Sequence, residues 1–286
     1  MKARLLFVHA LSPLHAGTGQ GVGVIDLPVA REKATGLPYL PGSSLKGVLR
    51  DACKENEMRK KVFGPDTDSA HEHAGSVQIS DQRLLLLPVR SLVGTFAWVT
   101  SPYILHRFLR DAENVKVSDI PSNVPAPISA TSCFVSSDGC AIVVDNQVVL
   151  EDLDLTAETS INAREWAEWI GGQVFPDDQT WQEMLTARFC IVHDDVMSFL
   201  LDTATEVFAR VRLREDAKTV EKGGLWYEEA LPTETILAGL VVATPVKAEP
   251  EEVFETLTGL IEKPLQLGGK ATVGRGLCRL RMTGGD

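Results

Sequence analysis

The sequence predicts an α+β fold, with strands at both ends of the chain and helices and hairpins between them. Three observations carry this. Leu5–Ala10 and the closing "GLCRLRM" read as strands. Helical periodicities fall at Ala163–Ile170, Asp178–Ala187 and Asp194–Thr205. Asp138-Gly139 and Asp145-Asn146 lie between alternating apolar residues, a hairpin signature. The regular β–α–β alternation of a wound parallel sheet is missing.

The elements follow in order. After the first strand a glycine run, His15 to Gly23, reads as loop. Pro41-Gly42-Ser43-Ser44 opens a helix, with a serine as its cap and Leu45, Val48, Leu49 and Ala52 at helical spacing. Ser76–Ser80 reads as a short strand, and "RLLLLPVRSLVGTFAWVT" as a strand and an extended segment. Ser101-Pro102, a cap followed by proline at the first helical position, starts a helix over Tyr103–Arg110. Ser118 to Pro127 is proline-rich loop. "FARVRL", "GLWYEEALP" and "TILAGLVVAT" read as strands, and "LQLGGKATVGRG" as a glycine loop before the last one.

The 286 residues, 44% hydrophobic, are enough to bury a sizeable core. No apolar run reaches about 18 residues, so no membrane partner is expected. The N-terminus lacks the length and cleavage site of a signal peptide. Cys53, Cys133, Cys140, Cys190 and Cys278 form no CxxC pair, which fits a reducing cytoplasm rather than a disulfide framework or zinc ribbon. The net charge of −11 is unevenly spread: +5 over residues 1–65, −20 over 66–262 and +4 over 263–286. Two basic, glycine-rich ends around an acidic middle suggest a basic groove built from both ends. Random clustering is the competing reading.

Gly17, Gly19, Gly21 and Gly23 alternate along the first run, and a single carboxylate, Asp26, follows between Ile25 and Leu27. The run has no GxGxxG in register, and the chain has no GxxxxGK[ST], so neither a dinucleotide fingerprint nor a P-loop is present. Glycines let a backbone pass close to a ligand and expose its amides; a plain loop is the alternative. In "PGSSLKG" the helix N-terminus gathers free amides near Ser43 and Ser44, and Lys46 sits in the first turn, where a cation is disfavoured unless an anion joins it. "QLGGKATVGRG" again combines glycines (Gly269, Gly274) with cations, Lys270 and Arg275.

Together the blocks "GVIDLPVAREKATGLPYLPGSSLKGVLR", "GSVQISDQRLLLLPVRSLVGTFAWVT", "LWYEEALP" and "LQLGGKATVGRGL" resemble the RAMP superfamily. Within it the chain resembles the backbone subunit of type III-B CRISPR effectors, the fourth Cmr subunit. The sister type III-A backbone has similar "IDLP" and "PGSSLKG" blocks. "PVRSLVGTFAWVT" favours the Cmr version.

The resemblance implies an RRM-like (ferredoxin-like) core with large insertions, one domain over residues 1–286. It implies a cytoplasmic protein whose copies stack head to tail along a guide RNA beside other Cmr subunits, including the polymerase-like large subunit. It also implies an endoribonuclease that cuts the bound target RNA at regular intervals. A non-catalytic guide-binding subunit, or the equivalent subunit of a type III-A complex, is the alternative.

The family's catalytic aspartate matches Asp26. RNA supplies its own 2′-hydroxyl nucleophile, so cleavage needs a base, an acid and charge stabilisation at phosphorus. Asp26 is the candidate base, or the holder of a divalent ion, Mg²⁺ or Mn²⁺, through water. His15 is a candidate proton carrier; a loop histidine bonded to backbone is its other reading. Glu228 and Glu229 are candidates from the distant strand, one of them expected to be a structural ion-pair partner. Ser43, Ser44, Lys46, Gly17, Gly19, Gly269, Lys270, Gly274 and Arg275 are the candidate RNA contacts.

Other clusters rank lower. His71-Glu72-His73 is too small a ligand set for a metal and reads as exposed loop. His193-Asp194-Asp195 reads as a capped helix start, Asp81 and Arg83 as a cross-strand pair, and Trp166, Trp169 and Trp181 as core.

Overall fold

The computed structural model describes residues 1–17, 25–69, 71–214, 216 and 219–284. Gly19, Gly21 and Gly23 lie outside the described residues.

The first half of the chain runs β1 (Lys2–Ala10), β2 (Tyr39–Leu40), α1 (Gly42–Ala52), α2 (Asn56–Phe63), β3 (Val77–Ile79), β4 (Gln82–Arg90), β5 (Phe96–Thr100), α3 (Pro102–Asn114), β6 (Ser132–Val135) and β7 (Gln147–Leu150). It continues through β8 (Leu153–Thr159), α4 (Ile161–Val174), α5 (Gln179–Arg188), β9 (Phe189–Val192), α6 (Asp194–Thr203), β10 (Glu206–Leu213), β11 (Val220–Ala230), β12 (Ile236–Ala243), α7 (Pro250–Leu260), β13 (Leu265–Gln266) and β14 (Leu277–Thr283).

Twelve strands form one mixed sheet in the order β13-β14-β1-β12-β4-β5-β9-β6-β8-β7, with β2 on β4 and β3 on β12. β1 therefore sits between β12 and β14, antiparallel to both, so the two ends of the chain are hydrogen-bonded neighbours. Helices cover both faces of β1. Phe7 meets Phe108 of α3 and Trp169 of α4, while Arg4 on the other face lies 4.4 Å from the Phe254 ring centroid of α7. That double cover is why residues 5–10 are buried without alternation.

The hairpin signals resolve unevenly. Asp145 and Asn146 both take positive φ and close a turn from Val144 to Gln147. Asp138-Gly139 makes no hairpin, and β6 instead pairs with β8 and β9. The ladder that does form is β7–β8, and its turn uses Glu151 at φ 49°. β8, β9, α2 and α7 lie outside the elements read from the sequence, although α7 buries Val253, Phe254 and Leu257 at helical spacing.

No serine caps α1. Its first amide, Gly42 N, donates to Asp81 Oδ1 at 2.9 Å, from the β3–β4 turn. Arg83 binds Asp111 and Glu32 instead of Asp81. His193 does cap α6, through the amide of Asp195. Trp166 is fully buried and packs with Trp169 and Phe108. All five cysteines are buried and free. His71 and Glu72 are exposed. Among the described residues no three His, Cys, Asp or Glu side chains are grouped to hold a metal, and no helix is long and apolar enough to cross a membrane.

β10 and β11 form a separate two-stranded hairpin. Val211 pairs with Leu225, Leu213 with Val220 and Ala209 with Tyr227, and the five larger of these side chains are exposed.

Candidate active site

The free edge of β11 assembles the site. One edge of this strand pairs with β10; the other receives two stretches from the N-terminal region. Leu14 exchanges backbone hydrogen bonds with Leu231. Leu27 N donates to Tyr227 O at 3.1 Å, and Glu229 N donates to Leu27 O at 2.9 Å. Ala30 N then donates to Ala16 O, which closes the two stretches against each other.

Asp26 stands exposed at this seam. Its Oδ2 accepts the Tyr227 amide at 2.8 Å. His15 is buried, and its Nδ1 meets Glu229 O at 2.6 Å. A carbonyl only accepts, so Nδ1 carries the proton, and Nε2 lies toward Gly17. Asp26 and His15 thus hang from residues two apart on one strand, about 6–7 Å along it.

Glycines box the His15 ring. A Cβ on Gly17 would lie 2.6 Å from Nε2, and one on Gly269 would lie 3.2 Å from Cδ2. Gly268, at φ +68°, brings its backbone against His15 O, and Gly269 N donates to that same oxygen at 2.9 Å. The two glycine-rich segments therefore meet at one histidine.

The two glutamates are both engaged. Glu228, 5% exposed, accepts Lys270 Nζ at 2.7 Å, Trp226 Nε1 at 2.8 Å and Arg210 Nε at 3.2 Å. Burial pushes its carboxyl up, but the bonds from Lys270, Trp226 and Arg210 outweigh burial and hold it at about 2. Such a group is a poor proton acceptor near neutral pH. Glu229, 3% exposed, accepts Val29 N, Arg31 Nη2 and Thr205 Oγ1. The expectation that one of the pair is structural is too modest for this geometry, since both have chain partners.

Lys270 and Arg275 brace the hairpin. Lys270 holds Glu228, and Arg275 lies 3.7 Å from the Phe208 ring centroid and 3.8 Å from Glu206. Gly274 is exposed at φ +78° in the same loop. Lys46 Nζ donates to Val77 O at 3.1 Å; burial, and then Arg50, lower its ammonium below the ordinary lysine value. Ser43 is exposed and Ser44 half-buried beside the α1 end that Asp81 already caps.

Sequence reasoning missed Arg31, Thr205 and the Glu32 knot. Arg107 grips Glu32 with two bonds of 2.7 Å and, against burial, holds its carboxyl at about 2. No local pattern marks pairs separated by 24 to 198 residues.

The two depressed carboxyls set an acid limit. Folded values of about 2 against an ordinary 4.5 mean that Glu32 and Glu228 contribute stability above about 4.5. That contribution is lost as pH falls toward 2. Glu228→Gln is expected to flatten the fall of melting temperature between these pH values. An unaltered slope would show that the Lys270–Glu228 pair does not form in solution.

As a metal centre the site is lean. A divalent ion would find one available protein carboxylate, Asp26, and take its other ligands from water and a phosphate. This fits Mg²⁺, which keeps several waters and binds through one or two carboxylates.

Residues 7–279 match the sequence model of the RAMP superfamily, and the chain belongs to that superfamily. Within it, the chain is 38% identical over 297 residues to the "CRISPR system Cmr endoribonuclease Cmr4" of Pyrococcus furiosus. That alignment spans 99% of this chain and 96% of the relative. It is 24% identical to the "CRISPR system CMR subunit Cmr4" of Saccharolobus solfataricus over 96% of this chain and 94% of that one. The crystal structure of oligomeric Cmr4 from Pyrococcus furiosus superposes with a TM-score of 0.77 at 31% identity, covering 99% of this chain and 98% of that one.

Proposed function

We propose that this chain is the backbone subunit of a type III-B CRISPR complex, stacking head to tail on guide RNA and cutting the bound target RNA. The observation that carries this is that Asp26 bonds the Tyr227 amide and His15 the Glu229 carbonyl, two residues apart along one edge of β11, in a chain similar to a named endoribonuclease. The order β14-β1-β12-β3, all antiparallel, with α1 and α7 as crossovers, supports an RRM-like core into which residues 80–235 are inserted.

The chemistry is proton transfer around a 2′-hydroxyl. Asp26, exposed and fixed by the Tyr227 amide, takes the hydroxyl proton or orients the attacking group. His15 Nε2 donates a proton to the leaving 5′-oxygen as the 2′-oxygen bonds to phosphorus, and water afterwards returns that proton to His15 and removes the one held by Asp26. A bound Mg²⁺ or Mn²⁺ would supply charge stabilisation at phosphorus. Glu228 and Glu229 hold the frame and move no proton. Ser43, Ser44, Lys46 and the loop of Gly269, Lys270, Gly274 and Arg275 line the approach of phosphates, with Lys46 and Lys270 exchanging a chain partner for RNA. The exposed apolar face of the hairpin suits bases or a neighbouring copy.

The test is a complex assembled on one guide and given a complementary labelled RNA. Evenly spaced cuts that disappear on chelation of divalent ions are expected. Binding without cutting would reduce the chain to a scaffold.

A further inference from the structure

We propose that Glu229 is a positioning residue that sets the separation between Asp26 and His15, and this rests on those two being the acting groups. Glu229 touches the Asp26 segment at three points. Its amide donates to Leu27 O at 2.9 Å, its Oε2 accepts Val29 N at 2.9 Å, and its Oε1 accepts Arg31 Nη2 at 2.6 Å. Its own carbonyl holds His15 Nδ1 at 2.6 Å. One residue therefore bonds both the segment that bears Asp26 and the His15 ring.

The hold reaches into the rest of the fold. Arg31 also donates to Leu201 O at 2.8 Å, at the end of α6, and to Gly36 O at 3.0 Å. Thr205 Oγ1, one residue before the hairpin, donates to Glu229 Oε1 at 2.9 Å. Segment 27–31, α6 and the hairpin base are thus tied through a single carboxylate.

A role in proton transfer does not suit this group. It is 3% exposed, and both oxygens already face donors of the chain. A role in holding RNA does not suit it either, because a carboxylate repels phosphate. In Glu229→Gln the amide nitrogen must face one of three donors, so at least one tie is lost while the side-chain shape is kept.

The experiment uses the complex assembled on guide RNA, with single-turnover cleavage of complementary RNA followed across pH. Glu229→Gln is expected to lower the saturated rate by about 10²-fold, the effect of a misplacement near 1 Å. Its affinity for target RNA and the shape of its pH–rate profile should stay as in the parent. Thr205→Val removes one donor and leaves the carboxylate, and a fall of a few-fold with the same profile is expected. It decides the matter if Glu229→Gln does not assemble.

Parent rates in the assembled variants would overturn the proposal. So would loss of one limb of the pH profile in Glu229→Gln, which would make Glu229 itself a proton carrier. Asp26→Asn, run alongside, separates the two levels. If it cuts at the parent rate, the reading of the site has failed with the proposal. If it does not cut while both other variants do, only the positioning role has failed.

Discussion

Asp26→Asn is expected to lower target RNA cleavage by roughly 10² to 10⁴-fold while guide binding, target binding and assembly persist. Asp26 is exposed, and among the described residues its hydrogen bond comes from the Tyr227 amide. An asparagine oxygen accepts that bond equally well. Stability should therefore move by no more than about 0.5 kcal/mol. Removing a negative charge beside phosphates should leave RNA binding unchanged or slightly tighter. Cleavage and binding measured on complexes assembled on the same guide check both halves. Retained cutting would remove Asp26 from the chemistry and leave His15 as the principal group. Loss of both cutting and assembly would make the segment structural.

The second large effect is expected at a residue with no side chain. Among the described glycines, Gly17 is the one where an added methyl group would meet His15 Nε2, at 2.6 Å, well inside van der Waals contact. The ring has little room to yield, because Nδ1 is tied to Glu229 O and Gly269 backs its other edge. Gly17 does not use the left-handed backbone region, so alanine is tolerated there by the main chain. Gly17→Ala is expected to lower the single-turnover rate by about 10²-fold through displacement of the imidazole. His15→Ala should lose a similar factor. Joining the two should lose little more, since both remove the same group. Parent rates in both variants would exclude His15 from proton transfer and return it to a loop histidine bonded to backbone.

The candidate site was legible as residue types and not as partnerships. Asp26 between Ile25 and Leu27, and His15 before the glycines, stand out because a lone carboxylate and a lone imidazole in a small-residue segment lack a packing role. "WYEE" showed that carboxylates return late in the chain, but it could not show that Glu228 is spent on Lys270, Arg210 and Trp226 or Glu229 on Val29, Arg31 and Thr205. Lys270 and Arg275 read as free cations because their partners, Glu228, Glu206 and Phe208, lie 42 to 69 residues away.

By itself the sequence determined the local grammar: β1 from its short apolar stretch, α1 from helical spacing, α3 from Ser101-Pro102, α6 from His193-Asp194-Asp195, and the turn at Asp145-Asn146. Each rests on hydrogen bonds and rotamers a few residues apart, which neighbouring side chains dictate. Only the tertiary structure decided which strands pair, that Asp81 rather than a serine caps α1, and that β11 offers its free edge to residues 14 and 27. Backbone amides and carbonyls are the same in every residue, so an edge carries no signature of the segment that will dock on it. That choice falls to long-range packing, which here brings Leu14, Leu27 and Gly269 around His15 and Asp26.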